Sequence, residues 1–242
     1  MSATEPPIEF SDSLDLDAIR RTFARTGRAQ VRPFLSAASA ERLYACLSGE
    51  LRWQLHLNDG ERAISRDAAA FEALPGADRA RLFDSIHASA AQRFQYVFYN
   101  FPLSDLYERS EYRSLYAMRV LEFLNSEPFL QFVRRVTGID SIALADAQAT
   151  LYKPGHFLTV HDDHAEDKHR VAAYVLNLTR PWSIDWGGVL QFVDADGHIA
   201  EGFVPTFNAL NVFRVPQPHL VSLVAPFARA GRYSITGWLR QR

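Results

Sequence analysis

The sequence predicts an α+β chain with a mainly β core, in which an N-terminal helical layer supports a C-terminal antiparallel sandwich or barrel. Three observations predict it. Several stretches before residue 138 carry apolar residues at helical spacing. From Ile139 onward about eight short strands follow one another, punctuated by Gly, Pro, Asn and Asp, without intervening helices. The chain has 242 residues, 48% of them hydrophobic, with no repeat, linker or low-complexity stretch, so residues 1–242 read as one domain with one full core.

Residues 1–16 carry Glu5, Asp12 and Asp15 and few aromatics, and read as a flexible arm before a helix near Leu16–Thr26. Residues 31–35 read as a strand. Ser36 then caps a helix whose Ala40, Leu43, Cys46 and Leu47 share a face until Gly49. Residues 51–57 alternate as a strand, and Asn58-Asp59-Gly60 turns the chain. A helix is expected over 78–92 and an aromatic strand over 94–99, followed by a long loop over 100–113 with Phe101, Tyr107 and Tyr112. Helices follow at 115–124 and 129–137, with Ser126 as N-cap and Gly138 as terminator. The β core, 139–242, is expected to contain strands at 141–152, Phe157–His161, 171–178, 189–193, 200–204, 210–214, 219–224 and 233–239.

Composition excludes several function classes. With 26 Lys and Arg against 28 Asp and Glu, the net charge is −2, which leaves no general phosphate-neutralising charge for nucleic-acid binding. The single cysteine, Cys46, excludes an internal disulfide or a cysteine zinc cage and reads as a buried core residue. No apolar run is long enough to span a bilayer, and the acidic, Pro-containing start is unlike a signal peptide. The expectation is a soluble cytoplasmic protein that does not engage a membrane.

Chemistry concentrates at two places. In Leu158-Thr-Val-His-Asp-Asp-His164, His161 and Asp163 are two apart, and in an extended segment would share a face. His219, opening a later strand after Pro216-Gln-Pro218, is the candidate third ligand. Two imidazoles and one carboxylate form the facial triad that leaves open positions on Fe(II). A zinc hydrolase could use the same three groups. The second place is Arg232-Tyr-Ser-Ile-Thr-Gly-Trp238. As a strand it puts Arg232, Ser234, Thr236 and Trp238 on one face, so Arg232 would point into the barrel and need an anion. Its fork suits a carboxylate, and 2-oxoglutarate offers one at C5. In residues 142–152 the alanines share one face, leaving Gln148, Thr150 and Tyr152 for the cavity.

Together, His161-x-Asp163, His219 and Arg232-Tyr-Ser-Ile-Thr-x-Trp238, with Trp182 and Gly187-Gly188 between them, resemble the Fe(II)- and 2-oxoglutarate-dependent oxygenases of the prolyl-hydroxylase-like branch. The resemblance implies a double-stranded β-helix, or jelly-roll, core. It implies iron held by His161, Asp163 and His219, a 2-oxoglutarate carboxylate held by Arg232, and O2 as the oxidant. The better-known members place a tyrosine where this chain has Asn177, so Tyr152 is the candidate for the supporting hydroxyl. The resemblance suggests hydroxylation of a prolyl residue in a polypeptide substrate. The alternatives are an oxygenase of a free amino acid or small metabolite, and a non-catalytic jelly-roll binding module. Residues 58–66 and 100–113 are expected as loops flanking the cavity mouth. His156, His164 and His169 read as solvated or substrate-facing, and His56, His87 and His198 as structural.

Overall fold

The computed structural model of the protein describes residues 5–58 and 62–242. Helix α1 (Leu16–Thr26) starts where Asp15 accepts from the Ala18 N–H and ends at Gly27 in the left-handed conformation. After β1 (Arg28–Val31), Ser36 caps α2 (Ala37–Gly49) by accepting from the Ser39 N–H. Strands β2 (Gln54–Asn58) and β3 (Ala63–Asp67) pair antiparallel. The expected turn at residues 58–60 falls largely outside the described residues. Next come α3 (Ala68–Glu72), α4 (Gly76–Ala90), β4 (Tyr96–Phe101), α5 (Leu103–Glu108), α6 (Met118–Leu124) and α7 (Glu127–Thr137). The remainder holds β5 (Leu144–Ala145), β6 (Gln148–Tyr152), β7 (Phe157–His161), β8 (Arg170–Asn177), β9 (Leu190–Val193), β10 (Ile199–Phe203), β11 (Ala209–Arg214), β12 (His219–Val221) and β13 (Arg232–Arg240).

The strands run antiparallel in the order β1-β11-β8-β13-β6-β4-β7-β12-β9-β10, with β2 and β3 added beside β4 and β5 beside β13. Alternation along the central strands makes the layers. On β8, Tyr174 and Leu176 join the cluster under the helices, whereas Ala173 and Val175 face a separate inner cluster with Phe192 and Phe213. Ala145, Ala147 and Ala149 lie on the helical side, where small side chains allow close approach. Helix α7 buries Phe129, Leu130, Phe132, Val133 and Val136 there, each contributing about 1.5–3 kcal/mol. This is the jelly roll with its supporting helical layer. No helix of the described residues is long and apolar enough to cross a membrane.

Several expectations need correction. The arm is packed from residue 5: Phe10 pairs with Leu35 and its ring meets Phe34, Phe123 and Phe132 at 5.0–5.6 Å from Phe123, Phe132 and Phe34. Its few apolar residues suffice because they complete an existing aromatic cluster. The first strand is 28–31, because the chain turns before Phe34 to dock that ring. Ser126 stands at the N-cap of α7 as expected but makes no side-chain capping bond; its hydroxyl donates to the Phe123 carbonyl instead. The strand expected over 141–152 is two, broken where Asp146 turns its Oδ1 to the Trp238 N–H at 2.7 Å. Of the loop expected over 58–66, residues 63–66 belong to β3, and 100–113 contains α5. Cys46 is buried as expected, which pushes its thiol up to about 11.

His156 is not solvated: it is 2% exposed beside the rings of Phe83 and Tyr99, and its Nδ1 has no partner among the described residues. Burial pushes its pKa down to about 3. The folded state therefore keeps it neutral, while the unfolded chain takes up a proton near pH 6.5. Stability is complete above about pH 6.5 and falls as pH drops towards about 3. His156→Phe should flatten the fall in Tm between about pH 6.5 and 5. Parallel wild-type and variant curves would remove His156 as the cause.

Candidate active site

Three side chains converge where β7 ends and β12 begins. The register sets His161 directly opposite His219, and cross-strand partners on one face stand close enough to touch. Their ring centroids are 4.1 Å apart. Asp163 joins them through a turn and not along the strand: β7 stops at His161, and Asp163 has a φ of +64°. Aspartate is one of the few side chains that tolerates this left-handed conformation. The turn brings Oδ1 to 3.4 Å from His161 Nε2 and Oδ2 to 3.4 Å from His219 Nε2. The extended geometry expected of His161-x-Asp163 is thus absent, although the two side chains do meet.

All three donor groups lie within 4.8 Å of one another, a spacing that one ion with bonds of about 2 Å can bridge. The rings are oriented for it. His161 Nδ1 faces the Thr159 carbonyl at 3.0 Å and His219 Nδ1 the Gln217 carbonyl at 2.8 Å. A carbonyl only accepts, so each ring carries a proton on Nδ1, and the Nε2 atoms would be the donors to a metal. Burial, followed by the field of His161, pushes His219 down to about 4 and keeps it neutral at physiological pH. Burial alone would push Asp163 up, but His161, His219 and the adjacent Trp238 indole outweigh it and hold the carboxyl below its ordinary value. Two imidazoles and one carboxylate are the donor set of a facial triad.

Behind the triad is a cavity of about 80 Å³, walled by Phe98, Leu158, Val175 and Phe213, with Tyr152 and Arg232 also on its lining. Arg232 is 2% exposed, and its Nε has no hydrogen-bond partner among the described residues. No described carboxylate pairs with it, and burial pushes its pKa down. Its nearest support is the Tyr152 ring, 4.9 Å from Cζ and itself stacked on Phe98 at 5.2 Å. Gly188, at φ +62°, leaves room for the arginine stem; a Cβ there would sit 3.3 Å from Arg232 Cδ. A buried guanidinium without a counter-charge is expensive, so the cavity fits an anionic ligand such as a carboxylate. Asn177, 1% exposed, stands opposite Ser234, with both amide atoms unpartnered among the described residues.

Sequence reasoning missed Arg170. Its guanidinium lies 3.5 Å above the Trp238 ring, and its Nη1 donates to the Asp163 carbonyl at 3.3 Å. It thereby pins the left-handed turn, a contact between β8 and a loop that no local pattern announces. Trp238 belonged to the expected inward face of β13 and does line the cavity. His164 and His169 are exposed, whereas His56 stacks on Tyr96 at 5.2 Å near the mouth. Of the two expected mouth loops, residues 100–113 contribute Asn100, Ser104, Asp105 and Glu108 to a cleft adjoining the cavity.

Residues 147–240 match the family model of the 2OG-Fe(II) oxygenase superfamily. A mouse protein, prolyl 3-hydroxylase OGFOD1, is 32% identical over 147 residues, which cover 58% of this chain and 26% of the mouse protein. The chain thus spans about a quarter of that relative's length. The fold is similar to a Pseudomonas putida prolyl-4-hydroxylase, with TM-score 0.58, 21% identity, and coverage of 94% of this chain and 99% of that one. It is also similar to a Burkholderia pseudomallei oxidoreductase of the 2OG-Fe(II) oxygenase family, with TM-score 0.62, 12% identity, and coverage of 98% and 96%.

Co(II) titration followed by its visible d–d bands tests the triad. His161→Ala or Asp163→Ala should abolish binding, and Arg170→Ala should weaken it about 10- to 100-fold through the loosened turn, with partial recovery in Arg170→Lys. Unaltered affinity in both ligand variants would refute the metal site.

Proposed function

We propose that the chain is a 2OG-Fe(II) oxygenase of the prolyl-hydroxylase-like kind, on the strength of the family match over residues 147–240 and the similarity to the mouse prolyl 3-hydroxylase, and that it hydroxylates a prolyl residue of a polypeptide using Fe(II), 2-oxoglutarate and O2. The observation that carries this reading is the meeting, in one cavity, of the His161, Asp163 and His219 cluster with the buried, uncompensated Arg232. His161, Asp163 and His219 would hold the iron. Arg232 would hold the C5 carboxylate of 2-oxoglutarate, with Tyr152 bracing the guanidinium by its ring and offering its hydroxyl to the same carboxylate. When bound, iron and cosubstrate supply the oxidative decarboxylation that is coupled to oxygen insertion into a C–H bond. The chain's own contribution is orientation and shelter: apolar Phe98, Leu158 and Val221 limit water around the anion and raise the strength of its pairing with Arg232.

A polypeptide is favoured over a small metabolite by the exposed aromatic side chains at the cavity mouth. At that mouth Phe94 is 43% exposed and lies 5.6 Å from the His161 ring, with Tyr96 next to it. These aromatic faces suit an apolar pyrrolidine ring. A cytoplasmic setting fits the single, buried, free thiol of Cys46.

The test is Fe(II)-dependent consumption of 2-oxoglutarate, followed by mass spectrometry of cell proteins for prolyl products heavier by one oxygen, about 16 Da. No consumption with iron loaded would sink the proposal. Arg232→Ala should raise the cosubstrate KM more than 100-fold, because the buried carboxylate then lacks a counter-charge. Tyr152→Phe keeps the ring and removes only the hydroxyl, so a roughly 10-fold or greater rise in KM is expected. An unchanged KM in Tyr152→Phe would limit the tyrosine to its stacking role.

A further inference from the structure

On the other side of Trp238 and Gln148 from the iron cavity lies an open cleft of about 570 Å³ that shares these two residues with it. One wall is α5, carrying Asp105 and Glu108. Both are exposed, and neither carboxylate has an ion pair or hydrogen bond among the described residues. The facing wall carries Lys168, Arg170 and Arg240, together with Asp167. Two of these three cations have partners within the protein, and the Lys168 ammonium has no hydrogen bond or ion pair among the described residues. Arg170 lies on Trp238 and donates to the Asp163 carbonyl, while Arg240 Nε donates to the Lys168 carbonyl at 2.7 Å and its Nη1 is 4.0 Å from Asp146. Asn100, 7% exposed, also lines this cleft, and its Oδ1 has no partner among the described residues.

We propose that this cleft holds the polypeptide segment flanking the target prolyl residue and selects a lysine or arginine there, placed against Asp105 and Glu108. The inference rests on the polypeptide hydroxylase reading above and adds the charge of the substrate. An extended chain advances about 3.3 Å per residue, so neighbours of a residue held at the iron pass directly into an adjoining cleft. Its peptide carbonyls accept from Asn100 Nδ2, which has no hydrogen bond among the described residues, and its cation meets the two free carboxylates. The acidic wall is fixed in place. Ser104, at the start of α5, donates its N–H to the Ala147 carbonyl at 3.0 Å and accepts from the Ala147 N–H at 2.8 Å. The charges therefore sit at a set distance from β6, which is what selection by charge requires.

The probes are two fluorescein-labelled synthetic peptides, each with a central proline and differing only in whether lysines or glutamates flank it. Binding to the iron-free protein is read by anisotropy at low salt. The lysine peptide should bind about 10-fold tighter, with the advantage shrinking as salt rises. The double variant Asp105→Lys, Glu108→Lys should invert the preference, and its thermal unfolding shows whether the fold is intact. Equal binding, failure of both peptides to bind, a preference for glutamate, or a lysine preference that survives the reversal would each overturn the proposal. A lysine preference that inverts as expected, without oxidised product when iron and 2-oxoglutarate are supplied, would reject the hydroxylase reading and leave the cleft standing.

Discussion

The antiparallel pairing of β7 with β12 is the contact on which the candidate site depends. It sets His161 and His219 face to face, although 58 residues of chain separate them, and no side-chain interaction could do so without the backbone ladder. Each imidazole is then fixed at its other nitrogen by a carbonyl of its own segment, Thr159 or Gln217. Only the third donor needs a special device. Asp163 reaches the pair because its backbone is left-handed, a conformation costing about 1–3 kcal/mol unless its surroundings hold it. Arg170 does the holding, from β8.

Electrostatic cost is concentrated in the same interior. Arg232, Asp163 and His219 are all buried, and an interior of low polarity penalises each charge it contains. For His219 the penalty is avoided by neutrality, and for Asp163 it is offset by two imidazoles and an indole. For Arg232 the folded chain offers only the face of Tyr152. The asymmetry is informative: two of the three buried groups are satisfied by the protein, and the third is complete only with an anion from outside.

The parts legible in the sequence were those whose physics is local or periodic. Alternation announced β13 and assigned its faces, and His161-x-Asp163, His219 and Arg232 stood out because charged or ligating groups interrupt apolar strands. What escaped notice is held by distant partners. Phe10 reads as part of a polar arm until Phe34, Phe123 and Phe132 assemble around it. The six residues of α5 are too few to be stable alone and depend on Ser104 meeting Ala147. The break between β5 and β6 arises from Asp146 binding the backbone of Trp238, 92 residues away.

Strand β13 joins the stability of the fold to its chemistry. Ile235 and Leu239 face the helical layer, both fully buried, while Arg232, Thr236 and Trp238 line the cavity. A slip of one residue would exchange the two faces. It would drive Ser234 and Trp238 towards the alanine-lined helical side and Ile235 into the cavity, losing about 1.5–3 kcal/mol for each large apolar side chain displaced from its site. The helical layer, which touches none of the three candidate ligands, thus selects the register in which Arg232 faces inward. Gly237 reinforces the choice, since a Cβ there would lie 2.0 Å from the Asp146 carbonyl oxygen, so only this residue allows β13 to approach the break beside β6 so closely. The inward arginine is costly in itself and is retained because the outward face of the same strand holds it there.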